Sequence, residues 1–276
     1  MFDNLTGKQG LVFGLITGVG LSAIIGFAIV APKLLRNNYA ENTLAQNYQL
    51  TQPIDQPAQA IAEAPTPTNI PKSDKPKVEL FVMSNCPYGL QMEKALIPAY
   101  DLLKNKADIE VKFVSYAMHG KPEVDENTRQ YCAQQQDKDK YFSYLNCYAT
   151  TEDSASCIKQ SGLNESKINS CIEKTDKQFA ITNKYNDRAS WLSGQYPIYP
   201  IHAELNDKYG VQGSPTLVIN GVQVDASRTP NALKAIICSA FNNPPAECGQ
   251  TLASASPQPG FGAGQTQTAT AGGCGG

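Results

Sequence analysis

Residues 78–117, VELFVMSNCPYGLQMEKALIPAYDLLKNKADIEVKFVSYA, decide the fold. Val78 to Met83 is an apolar run of strand length, and Ile109 to Ala117 alternates as a half-buried strand does. Between them, Pro87 to Lys104 carries Leu90, Ala95, Leu96, Ala99, Leu102 and Leu103 on a helical pattern, with Pro98 expected to kink it. Strand, long helix, strand is a βαβ unit, which implies a parallel pair with a right-handed crossover. Further along, Glu123 to about Ser193 reads as helical throughout, and His202 to Tyr209 as a short helix. Thr216 to Val224 reads as a hairpin, because Asn220-Gly221 supplies the positive φ angles of a tight turn. Pro230 to Phe241 is the last helix, with proline in its first turn. The class is therefore α/β, one domain over 76–252 with a helical insert at about 123–195.

The flanks differ from this domain in composition. After a short flank at 1–10, Leu11 to Ala31 is almost wholly apolar, with only Thr17 and Ser22 polar apart from glycines. At 1.5 Å per residue such a helix spans about 30 Å, one bilayer core. Residues 11–32 are therefore read as a transmembrane anchor. A cleaved signal peptide is the rival, disfavoured by Pro32 directly after the best small-residue site at Ala31. Residues 33–75, rich in Gln, Asn, Ala, Pro and Thr, read as a disordered linker. The Gly/Ser/Thr/Gln stretch 253–276 reads as a disordered tail.

Charge and cysteine content narrow the function. The 276 residues hold 23 Lys+Arg against 25 Asp+Glu, so a polyanion such as nucleic acid is not an expected partner. With 2 histidines, no His/Cys ligand cluster and no Gly-rich phosphate loop, no metal and no cofactor is implied. The 8 cysteines form no CxxC pair, which disfavours a zinc ribbon and favours an oxidising compartment. The cysteines also orient the anchor: the C-terminal domain is expected outside a cell membrane crossed once.

Cys86-Pro87-Tyr88-Gly89 carries the chemistry. It stands where a strand ends and a helix begins, so Cys86 meets unpaired amide N–H groups and the positive end of the helix dipole. Both favour the thiolate, which is the nucleophile. A structural cysteine is the alternative. A second feature is Tyr209-Gly-Val-Gln-Gly-Ser-Pro-Thr216, in which Ser214-Pro215 after a Gly turn and before an apolar strand is compatible with a cis peptide.

The order of these elements resembles the thioredoxin fold over roughly 76–252. The resemblance implies Cys86 as nucleophile and Ser214-Pro215 as the substrate-facing loop, with the proline cis. The Cys-Pro-Tyr start, the insert with Cys132, Cys147, Cys157 and Cys171, and the closing Cys238 and Cys248 resemble the gamma-interferon-inducible lysosomal thiol reductase family. They are similar, more loosely, to DsbA-like oxidoreductases. Both imply work on protein thiols or disulfides outside the cytoplasm. The chain departs from them at Gly89, where those families carry a second cysteine. A single thiol leaves three routes for resolving a mixed disulfide: a small thiol or membrane redox partner, the substrate's own cysteine in isomerisation, or a distant cysteine of this chain. Cys274, near the end of the tail, is the candidate for the last, an unpaired or crosslinking thiol being its other readings.

The six remaining cysteines are read as structural disulfides, with Cys238–Cys248, Cys147–Cys157 and Cys132–Cys171 the favoured pairs. His119, after the second strand, is a candidate to stabilise the Cys86 thiolate or a surface loop residue. Trp191, Tyr196 and Tyr199 are candidates for a peptide groove or for the core, and Met83 for the core. The expected activity is membrane-tethered thiol–disulfide exchange or isomerisation. A binding or chaperone module that has lost turnover, and a surface protein crosslinked through Cys274, are the alternatives.

Overall fold

Lys77–Val82 forms β1, Pro87–Leu103 forms α1 and Asp108–Phe113 forms β2. The computed structural model describes residues 69–266 and 272–275. β1 and β2 are parallel in register Val78↔Ile109 to Val82↔Phe113, as a βαβ crossover requires. Thr216–Ile219 (β4) runs antiparallel to β1, and Val222–Val224 (β5) antiparallel to β4. The sheet order is β2-β1-β4-β5. Asn220 and Gly221 turn the hairpin at φ 49° and 86°. The central strand β1 is buried from Val78 to Val82, consistent with its run of apolar residues.

The second strand stops at Phe113, four residues short of the expected end. β1 turns away after Val82 towards α1, so the ladder loses its partner. Asn206 takes over, its Nδ2 donating to Phe113 O at 3.0 Å and its Oδ1 accepting from Ser115 N at 3.1 Å.

The insert divides into Gly120–Gln136 (α2), Lys138–Thr151 (α3), Ser154–Ser161 (α4), Glu165–Phe179 (α5) and Ile181–Asn186 (α6). The breaks are local. Asp137, Asp153 and Asn164 accept from the backbone of Lys140, Ser156 and Lys167 as N-caps. Glu152, Gly162 and Ala180 leave their helices at positive φ. Ala203–Tyr209 (α7) precedes a two-residue strand, Gly213–Ser214 (β3). Pro230–Ser239 (α8), capped by Thr229, packs on α1.

The tail corrects an expectation. Residues 253–266 and 272–275 are ordered against the domain, not disordered. Ser256–Pro257 (β6) pairs with Gln265–Thr266 (β7), and Cys274–Gly275 (β8) pairs elsewhere. Lys94 on α1 explains the first part. Its ammonium donates to the carbonyls of Gln258, Gly260 and Gly262 at 2.8, 2.7 and 2.9 Å. Gln91 Nε2 donates to Pro257 O at 2.8 Å, Gly260 N to Pro87 O at 2.8 Å, and Phe261 meets Tyr148 edge to face. A glycine-rich loop without an apolar pattern is thus held through its own carbonyls.

The domain also begins earlier than residue 76. Asn220 Nδ2 donates to Pro71 O at 2.6 Å, and Ser73 exchanges backbone bonds with Ala240 and Asn242. The flank 1–10, the anchor at 11–32 and the linker before residue 69 lie outside the described residues. Among the described residues no helix is long and apolar enough to cross a membrane.

Candidate active site

Cys86 is the N-cap of α1, with extended φ/ψ of −68° and 121°. Its own N–H donates to Met83 O at 2.9 Å, and Pro87 opens the helix where no N–H is needed. Gly89 N donates to Cys86 Sγ at 3.4 Å, so one orphan helix amide is spent on the sulfur. Cys86 is fully buried among Phe81, Met83, Val114, Tyr116, Val211 and Val218. The helix end favours a thiolate there, while the apolar wall opposes it.

Gly89 is sterically required. A Cβ at this position would stand 2.7 Å from Ser214 Oγ and 3.1 Å from Met83 O. Ser214 Oγ cannot yield cheaply, because it accepts the buried Met83 N–H at 2.9 Å. The space beside Gly89 is therefore taken by a serine hydroxyl from the facing loop.

That loop carries a cis Ser214–Pro215 peptide, and Ser214 O lies 3.5 Å from Cys86 Sγ. Its two-residue strand β3 pairs antiparallel with β8, Ser214 opposite Cys274 and Gly213 opposite Gly275. Cys274 is joined to Cys86 by a disulfide across 188 residues of chain. The approach is close on both sides. A Cβ on Gly213 would stand 2.7 Å from Cys274 O. One on Gly272 would overlap the Tyr88 ring, and one on Gly275 the Tyr116 hydroxyl. Arg228 donates to Gly272 O and to Gln91 Oε1, with its guanidinium 5.2 Å from the Tyr88 ring centre. Tyr116 Oη donates to Gln212 O at 2.6 Å. Gly275 borders an open groove of about 530 Å³ that is also lined by Tyr116, Met118, Leu192, Tyr196 and Val211.

The structure thus brings Cys86, Pro87, Tyr88, Gly89, Ser214, Pro215 and Cys274 to one corner. His119 is not against the sulfur. Its Nδ1 bonds Glu123 Oε2, and Glu123 in turn accepts from the backbone N–H groups of Asn85, Met118 and His119. The Glu123 hydrogen bond, working against partial burial, raises the His119 pKa above its ordinary value. Of the three aromatics only Tyr196 lines the groove. Trp191 is buried with Nε1 on Tyr185 O, and Tyr199 is buried with its hydroxyl beside Thr128. Met83 is fully buried. Further along α1, Glu93 is buried with neither carboxyl oxygen partnered. Burial, reinforced by Glu126, pushes its pKa well up.

The other cysteines pair as Cys132–Cys171, Cys147–Cys157 and Cys238–Cys248. Sequence reasoning missed Arg228, Tyr116 and the glycines around Cys274. The run Gly272-Gly-Cys-Gly-Gly276 was the available signal, since a cysteine flanked on both sides by glycine suits a narrow slot.

The family model for a thioredoxin-like domain matches residues 66–237. No curated protein matches the chain. Solved structures give distant matches. DsbA from Mycobacterium tuberculosis (reduced) is 16% identical, covering 65% of this chain and 94% of that one, with a TM-score of 0.43. BdbD from Bacillus subtilis (oxidised) is 17% identical, covering 63% and 92%, with a TM-score of 0.40. MdbA, a thiol-disulfide oxidoreductase from Corynebacterium diphtheriae, is 14% identical, covering 61% and 86%, with a TM-score of 0.41.

Proposed function

The chain belongs to the thioredoxin-like domain family, and we propose that it is a membrane-tethered, extracytoplasmic thiol–disulfide oxidoreductase or isomerase with Cys86 as nucleophile and Cys274 as its partner thiol. The observation that carries this reading is the Cys86–Cys274 disulfide, made between a helix N-terminus and a strand paired to the Ser214-Pro215 loop. An oxidising compartment accords with four disulfides in one domain. The anchor at 11–32 supplies the tether in this reading. The finer resemblance to the gamma-interferon-inducible lysosomal thiol reductase family rests on the cysteine pattern alone.

The chemistry is a two-electron exchange. In the oxidising direction a substrate thiolate attacks Cys86 Sγ, the Cys86–Cys274 bond breaks, and Cys274 leaves as the thiolate. A second substrate thiolate then attacks the substrate sulfur of the mixed disulfide and releases Cys86, whose thiolate is held by the Gly89 N–H. The substrate is oxidised to a disulfide, and the protein holds two thiols. In the reducing direction the steps reverse, and Cys274 resolves the adduct. A small thiol or disulfide, or a membrane redox partner, returns the pair to its starting state.

One observation favours the second reading, a module without turnover: Cys86 is fully buried beneath its own tail. Equilibration of the chain in graded glutathione buffers, followed by alkylation and peptide mapping, separates the two. Exchange predicts that Cys86–Cys274 opens reversibly above about −300 mV while the other pairs persist. It also predicts catalysed refolding of a reduced or scrambled disulfide protein. A Cys86–Cys274 bond that opens only on unfolding leaves the binding module.

A further inference from the structure

Cys274 and its neighbours lie beside Cys86, paired to the Ser214-Pro215 loop, and in the exchange reading a substrate strand takes the same place once Cys274 has left. Resting on the exchange reading above, we propose that Tyr88 and Tyr116 are specificity-determining residues restricting substrates to cysteines flanked by glycine or another very small residue.

The argument is steric and runs position by position. Two residues before the cysteine, any Cβ meets the Tyr88 ring. Swinging that ring aside gives up its contact with the Arg228 guanidinium, which lies 5.2 Å from the ring centre and is bonded to Gln91. One residue before the cysteine, a Cβ would stand 3.2 Å from Ser214 O, so a methyl group enters with a small shift. One residue after, a Cβ meets the Tyr116 hydroxyl, which is pinned by its bond to Gln212 O and backed by the Tyr196 ring at 5.9 Å. Gly213 completes the slot from the loop side, since a side chain there would displace the paired strand. Gly275 also borders the groove lined by Met118, Leu192 and Tyr196. The preferred substrate is therefore a cysteine in a glycine-rich segment.

The test uses the full chain with Cys274→Ser, which leaves Cys86 as the reacting thiol. The probes are capped peptides Gly-Gly-Cys-Gly-Gly carrying thionitrobenzoate on the cysteine sulfur, with leucine substituted two before or one after the cysteine. The Cys86 thiolate attacks the peptide sulfur, the Cys86–peptide bond forms, and thionitrobenzoate leaves as a coloured thiolate. Dithiobis(nitrobenzoate) is the control for Cys86 reactivity. The all-glycine peptide is expected to react at least about tenfold faster than either leucine peptide, a difference of ~1.4 kcal/mol. Tyr88→Ala is expected to shrink the gap for leucine before the cysteine only, and Tyr116→Ala for leucine after it only. Equal rates for all three peptides, with the control reacting, would overturn the specificity and leave the exchange reading standing. No reaction with the control overturns the nucleophile itself, and the slot with it.

Discussion

Two disulfides, Cys86–Cys274 at the active corner and Cys132–Cys171 in the helical insert, are the same bond in opposite settings. Cys132 and Cys171 lie inside α2 and α5, where the backbone amides are committed to the helices, and each sulfur lies 3.7 Å from the Thr175 hydroxyl. A thiolate released there does not sit at a helix N-terminus, because both sulfurs belong to helix interiors. Cys86 has a helix N-terminus, and its partner sits in a two-residue strand near the end of the chain. What makes a disulfide exchangeable is the setting of the leaving sulfur.

The contrast can be broken most decisively at the nucleophile. Cys86→Ser should bring catalysed exchange to the uncatalysed background in a refolding assay, whereas Cys132→Ala/Cys171→Ala should keep it.

Acid probes the scaffold. His202 is buried with Nδ1 accepting Phe113 N–H at 3.0 Å, and burial, aided by Lys112, lowers its pKa to about 3. The unfolded chain takes up a proton near pH 6.5 and the native state does not. Stability is therefore complete above about pH 6.5 and falls towards pH 3, by at most about 5 kcal/mol. Urea unfolding across this range measures it, and His202→Asn should flatten the slope. His119 works in the other sense. With its pKa raised, its contribution is present in acid and fades as pH rises through its native value.

Removing Cys132–Cys171 closes no corner chemistry but frees the unfolded chain. The sequence separation of 39 gives a loss of about 4 kcal/mol in the loop-entropy account, read as a shift in urea midpoint. The smallest expected effect is Gly89→Ala, which should cost about 1–3 kcal/mol by overpacking against Ser214 Oγ. Ser214→Ala in the same chain should recover part of it, and a double-mutant cycle showing no coupling would separate the two residues.

Much of the scaffold was legible because its signals are local. The alternation in Ile109 to Phe113, the Asn220-Gly221 turn and the Cys-Pro start of α1 each act within a few residues. The end of β2 was not legible, since it depends on where another strand turns away. The tail was misread for a related reason. Composition reports whether a segment buries apolar surface, and apart from Phe261 on Tyr148 residues 256–266 are held by polar groups on α1 and by main-chain bonds. At the site, Cys86 and the Ser214-Pro215 loop were legible from spacing. The steric role of Gly89 was not, because it is set by a serine 125 positions away in sequence (from 89 to 214).

Lys94 has a kinetic consequence. By gripping the chain at Gly262 it leaves only about a dozen residues between that anchor and Cys274, although Cys274 is 188 residues from Cys86. In the proposed exchange, so short a sequence separation corresponds to an effective concentration on the order of millimolar, comparable with an added small thiol. Cys274 then competes for every adduct on Cys86 as a resident reagent, so the one cysteine of the motif is paired with a second from the same chain. Lys94→Met should lower that local concentration and hand the resolving step to glutathione, seen as a longer-lived mixed disulfide and a steeper dependence of turnover on added thiol.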